Sequence, residues 1–155
     1  MDPSKKELYT AKRSSGLDTS SDPKIAEALH DLKSDATPTN WILFKISSSN
    51  CLQHFLSGTG GYIEFNKSLN DEDIYFGVIR VLISEKSKFY NISYIGDNLS
   101  GLKKGKASMY KSAVFSITDA HGEIAPPSSL SEFTEDYILN FISRLSGSTK
   151  SLISW

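Results

Sequence analysis

The chain has 155 residues, 39% of them apolar and 23% charged, with a formal net charge of −1. That is one domain's length, enough to bury about two thirds of the unfolded surface, and a near-zero charge excludes a global attraction to nucleic acid or anionic membrane. Cys51 is the only cysteine, which excludes an intramolecular disulfide, and no run reaches the roughly 18 apolar residues of a membrane span.

Residues 1–20 are polar, without periodicity and without the apolar stretch of a signal peptide. They predict a mobile tail on a cytoplasmic protein, with a folded domain over 21–147 and a second tail over 148–155. Asp22 followed by Pro23 is a helix start, and Ile25, Leu29 and Leu32 form the stripe of a helix packed on one face. "WILFKI" (41–46) and "CLQHFL" (51–56) predict a hairpin across "SSSN". "GTGGYIEFNKSL" predicts a glycine turn into a short helix carrying Tyr62, Phe65 and Leu69. The nearly continuous apolar run "IYFGVIRVLI" (74–83) suits a central strand, with an antiparallel partner over 89–95 after the turn "SEKS". A helix over about 102–117 follows, then a short extended piece at Ile124 stopped by Pro126 and Pro127. The last helix carries a stripe at Phe133, Tyr137, Phe141 and Leu145 and ends at Gly147. This order predicts an α/β (α+β) fold, with a central mixed sheet sandwiched between helices.

Charge is distributed unevenly. Between Asp97 and Asp119 there is no acid, yet Lys103, Lys104, Lys106 and Lys111 lie there, on a body that is otherwise acidic. At 100° per residue, Lys104, Ser108, Lys111 and Phe115 share one helix face, flanked by Lys103, and Leu102, Met109, Ala113 and Ile117 lie opposite, predicted to face the sheet. Lys106 falls on that apolar side, where snorkelling from the first turn would free its charge. Lysines at a helix N-terminus oppose the macrodipole, and no acid stands at i±4 to neutralise them. The pattern predicts a docking face for an acidic partner rather than a merely solvated surface.

The same stretch, "GLKKGKAS", invites comparison with the phosphate-binding loop G-x-x-x-x-G-K-[ST]. It has one residue too few between its glycines, and Ala107 stands where a hydroxyl would hold Mg²⁺. "SGTGGY" (57–62) fits G-x-G-x-x-G in no register and reads as a strand-to-helix turn. Cys51 and His54, three apart on a predicted strand, point to opposite faces, and neither His30 nor His121 is paired with a nucleophile. No enzymatic activity, cofactor or metal is expected.

"PTNWILFKI", "SGTGGYIEF", "YFGVIRV" and above all "SKFYNISYIGDNLSGLKKGKASMYKS" resemble the actin-depolymerising-factor homology domain, in its coactosin and drebrin-like branch, from about Asp22 to Gly147. The resemblance implies a central mixed sheet of about five to six strands between helix pairs, and a non-enzymatic monomer that binds actin, filament in preference to monomer, without severing. It implies that Lys103, Lys104 and Lys111 of the long helix meet actin's acidic surface beside the segment around Ser20 and Ser21; Ser108, which shares their face, and Lys106, which stands where cofilin-like members are apolar, are expected at the same contact. A second, filament-specific contact would use Lys86 and Lys88 in the turn "SEKSK" and Arg144 of the last helix. The alternatives are a glia-maturation-factor-like regulator of the actin-related-protein branching complex, a phosphoinositide-binding module and, as the enzyme reading, an NTPase. No nucleic-acid partner is expected.

Overall fold

The computed structural model describes residues 16–155. Helix α1 (Pro23–Lys33) begins where the Asp22 carboxylate accepts the backbone N–H of Lys24 at 3.0 Å, with proline at its first position. At its other end the Arg80 guanidinium donates to the carbonyls of Leu32, Ser34 and Thr37 at 3.2, 2.9 and 3.0 Å, a cation at the negative end of the helix. The hairpin β1 (Trp41–Ile46) and β2 (Leu52–Gly58) follows, with a bulge at Phe55: Leu43 pairs with Leu56 but Phe44 with His54. Then come α2 (Gly61–Asn66), the long hairpin β3 (Ile74–Ile83) and β4 (Lys86–Ile95), helix α3 (Gly101–Ser116), β5 (Gly122–Ile124), helix α4 (Glu135–Ser146) and β6 (Ile153–Ser154).

The sheet runs β2-β1-β3-β4-β5, and β6 pairs with the far end of β3. All pairings are antiparallel except β4 with β5, and α3 is the crossover that a parallel pair requires. Strand alternation divides the apolar residues between two cores. Ile42, Phe44, Phe76 and Val78 pack on one face with Ile25 and Leu32 of α1 and with Tyr110 and Val114 of α3. Leu43, Tyr75, Ile79, Val81, Tyr90 and Ile92 pack on the other with Phe65 of α2 and with Ile138 and Ile142 of α4. The expected mixed sheet between helix pairs is therefore what forms, with six strands.

Several sequence expectations are corrected. The tail expected over 1–20 falls mainly on residues outside the described ones, but Leu17 is buried and Asp18 bridges Cys51 in parallel at the edge of β2. The expected tail 148–155 is part of the fold: Ile153 pairs with Ile83, and the Trp155 ring meets that of Phe65 edge-on. The turn of the long hairpin is shorter than "SEKS". Ser84 and Glu85 alone make it, both at positive φ, and Lys86 already pairs with Ile83. Leu69 lies beyond α2 and is buried from the following turn. In α4 the buried residues are Ile138 and Ile142, with Tyr137 and Phe141 partly buried beside them; Leu145 continues the i, i+4, i+7 stripe into the last turn, half exposed and close to Gly122 of β5, and Phe133 lies before the helix.

Candidate protein-docking faces

Helix α3 starts at Ser100, whose side chain accepts the N–H of Lys103 at 3.3 Å; its first turn holds no acid. Gly101 and Gly105 have open space where a side chain would stand. The helix packs on the sheet through Ala107, Tyr110 and Val114, an i, i+3, i+7 stripe continued by buried Thr118, which donates to Asn91 Oδ1 at 2.6 Å. The helix is thus turned by roughly a third of a turn from the expected orientation: Ala113 and Ile117 still pack partly against the core, but the start of that expected inward stripe faces water. Leu102 is 74% and Met109 57% exposed, and Lys106 stands between them on the same outward stripe. Lys106 therefore needs no snorkelling.

The lysines divide into two classes. Lys104 pairs with Asp97 at 3.6 Å and Lys111 with Glu123 of β5 at 2.8 Å. Both flank the packed side, and their acids lie outside the helix, Asp97 in the preceding turn and Glu123 on β5, where no i±4 spacing reaches. Lys103 and Lys106 form no ion pair among the described residues and are exposed. Ser108 is exposed, its hydroxyl turned back to the carbonyl of Lys104 at 3.4 Å. Lys106 thus stands between two uncovered apolar side chains, and Lys103 lies one turn before Ala107 at the exposed start of the packed stripe, so the first turns of α3 carry two uncompensated cations on different sides. Leu102 and Met109 were legible as a stripe, and Lys106 within it was the signal that the stripe faces water.

Ser20 and Ser21 lie beside the edge of β2. Ser20 donates to Asp18, and Asp22 accepts the N–H of His54 at 2.9 Å. The backbone N–H groups of His54 and Lys24 hold the Asp22 carboxyl below its usual range. Burial pushes the His54 imidazole down, opposed by that carboxylate, and its Nε2 lies 2.7 Å from Ser57 Oγ. Tyr110 reaches the Asn50 side chain in the β1–β2 turn at 3.3 Å, so this turn and α3 meet at one end of the sheet.

Lys86 and Lys88 sit on β4, not in the turn, and share the strand face of Tyr90, Ile92 and Tyr94, the face covered by α4. Arg144 is exposed on α4 with its guanidinium over the Phe141 ring at 4.6 Å. None of the three forms an ion pair among the described residues, whereas Lys150 is taken by Asp136 at 2.7 Å. The second basic group is therefore on the opposite side of the sheet from α3. The 10 residues of β4 also separate the hairpin tip from the start of α3, about 33 Å along the strand.

The other candidates resolve into structure. The "SGTGGY" turn is held by Glu64, whose carboxylate accepts from Thr59 N–H, Gly60 N–H and Trp41 Nε1. Gly61, at φ +64°, donates to Asn40 Oδ1. His121 accepts the N–H of Phe89 and stacks on its ring. Among the described residues no three His, Cys, Asp or Glu side chains converge as a metal site would need, and no helix is long and apolar enough to cross a membrane.

A helix-flanked mixed sheet with a basic, partly apolar long helix is an architecture for binding another protein. Comparison with known proteins gives it a family. Residues 18–143 match the family described as cofilin/tropomyosin-type actin-binding protein, and the chain belongs to it. It is 25% identical over 136 residues to coactosin of Dictyostelium discoideum, covering 84% of this chain and 93% of that one. It is 27% identical over 122 residues to the coactosin-like protein of Bos taurus, covering 75% and 83%. Among solved structures, human coactosin-like protein superposes with a TM-score of 0.71 at 24% identity, covering 85% of this chain and 99% of that one. The cofilin of Streptomyces griseoflavus gives 0.70 at 20%, covering 83% and 98%. These neighbours share the fold.

Proposed function

We propose that this protein binds the side of actin filaments, in preference to monomeric actin, and does not sever them, acting in the cytoplasm at the actin cytoskeleton. The observation that carries the reading is the exposed start of α3, where Lys103 and Lys106 lack ion pairs among the described residues and Leu102 and Met109 are uncovered on either side of Lys106. Cations steer the approach to an acidic surface, and apolar groups gain once water is excluded. Filament preference is supported by the second basic group, Lys86, Lys88 and Arg144, on the other side of the sheet. Two such separated contacts suit neighbouring subunits of a polymer. Relatives named coactosin lend the actin reading further support.

Cosedimentation with purified filaments tests it. Lys103→Glu with Lys106→Glu is expected to weaken binding about tenfold or more with an unchanged melting temperature, since reversing a charge at an interface costs several kcal/mol. Binding by the unmodified protein is expected to fall between low and physiological salt, where screening acts over about 8 Å, and then to level off at the contribution of Leu102 and Met109. A folded double variant that sediments like the parent removes α3 from the interface.

A further inference from the structure

We infer that residues 148–155 form a strap that positions the second actin contact, with Trp155 as its anchor; the functional half of this rests on the reading just proposed. β1 covers β3 only through residues 76–79, so beyond Ile79 the β3–β4 hairpin would project as a two-stranded ribbon. Such ribbons are marginally stable and strongly twisted on their own. The strap takes the place that β1 leaves. Ser154 pairs with Leu82 and Ile153 with Ile83, and the N–H of Ser84 in the turn donates to the Leu152 carbonyl at 3.1 Å.

The strap is fastened at both ends. It leaves α4 through Gly147, at φ +72°, whose N–H donates to the Ser143 carbonyl, while Ser143 Oγ donates to the Ser148 carbonyl at 2.6 Å. Lys150 donates to Asp136 of α4 at 2.7 Å. At the far end the Trp155 indole lies against Gly61, so close that a side chain there would begin 2.9 Å from the ring. A single segment thereby joins the helix that carries Arg144 to the hairpin that carries Lys86 and Lys88, and fixes both to α2. Exposed cations on a loose ribbon lose more entropy on docking than cations held in place. The strap removes that loss, and Trp155 is a positioning residue acting through the hairpin.

The test uses the full chain with Trp155→Ala and Trp155→Phe. Ser143→Ala, which cuts only the bond to Ser148, serves if Trp155→Ala does not fold. Amide hydrogen exchange at residues 84–86 is expected to quicken about tenfold in Trp155→Ala while that of Val78 and Ile79 stays unchanged. Filament affinity is expected to fall about three- to tenfold with binding to monomeric actin unaltered, and Trp155→Phe to restore both. A general loss of stability would lower the two affinities together, and that result overturns the inference. So does faster exchange at the hairpin tip with unchanged filament affinity, or no change in exchange at all. The exchange measurement reads the strap without actin, so a failure of the parent to bind filaments would strike the proposed function separately.

Discussion

At the residue scale, a lysine in a basic run is defined by what faces it. Lys104 and Lys111 look equivalent to Lys103 and Lys106 along the chain, but Asp97 and Glu123 engage them. Lys111 thus ties α3 to β5, a partly exposed pair worth about 0.2–1 kcal/mol. Lys111→Glu is expected to lower the melting temperature, and adding Glu123→Lys to recover it, because the swap restores opposite charges across the same gap. Thermal melts of the parent, the single and the double variant check this. If Glu123→Lys deepens the loss, the pair contributes no attraction. Asp22 shows the same dependence on neighbours. Its proton affinity is lower in the folded protein than in the unfolded chain, since two backbone N–H groups favour the carboxylate. Its stabilisation is therefore complete above the ordinary carboxylate range near 4 and is lost as pH falls through the lower folded value. Asp22→Asn keeps a capping oxygen without the charge, so its stability should be less sensitive to acid than the parent's. Denaturant unfolding measured from pH 6 to pH 2 gives the comparison, and parallel curves would dissociate Asp22 from acid unfolding.

At the element scale, α3 carries two apolar stripes, and sequence periodicity does not rank them. One, Leu102, Met109, Ala113 and Ile117, has the greater apolar content. The other, Ala107, Tyr110 and Val114, packs on the sheet because small residues let the helix approach and Tyr110 can reach Asn50 with its hydroxyl. Leu102 and Met109 are thereby left uncovered, while Ala113 and Ile117 stay partly buried against the core. β3 shows the complementary case, in which one position admits no side chain. A Cβ on Gly77 would stand 2.3 Å from the Ile42 carbonyl oxygen and 3.0 Å from the Leu43 side chain. Backbone cannot yield there without disturbing the β1–β3 ladder. Gly77→Ala is expected to destabilise by about 1–3 kcal/mol, within the range of overpacked cores. Equilibrium unfolding in urea measures it, and a change near zero would mean that the strands part more easily than their register suggests.

At the scale of the molecule, the sheet separates two basic groups, one on α3 and one at the hairpin tip with α4. The second is sparse: Lys86, Lys88 and Arg144, each worth about 1 kcal/mol or less where exposed. Severing requires a ligand to favour a deformed filament over the normal one, and a ligand shifts an equilibrium only by its differential affinity for the two states. So few charges suit adding preference for a filament better than deforming it. Labelled filaments imaged at saturating protein should break no faster than in buffer, and a clearly higher break rate would move the protein into a severing class.

Local signals in the sequence determined the elements themselves. Asp22-Pro23 starts a helix because the side chain caps and the ring presets φ, the run 74–83 is a buried strand because both its faces are covered, and Gly147 ends a helix because it accepts positive φ. The residue pattern over 87–112 was enough to place the chain among actin-binding proteins. Tertiary structure alone decided which face of α3 turns outward and which lysines remain unpaired. It also decided that Ile153 and Ser154 pair with β3, so that residues 148–155 do not trail away. The physical reason is common to all three. Rotation of a helix, an ion pair with a group outside the helix and the pairing of a short strand depend on how separate elements are placed in space, and a pattern within one element carries no information about that placement.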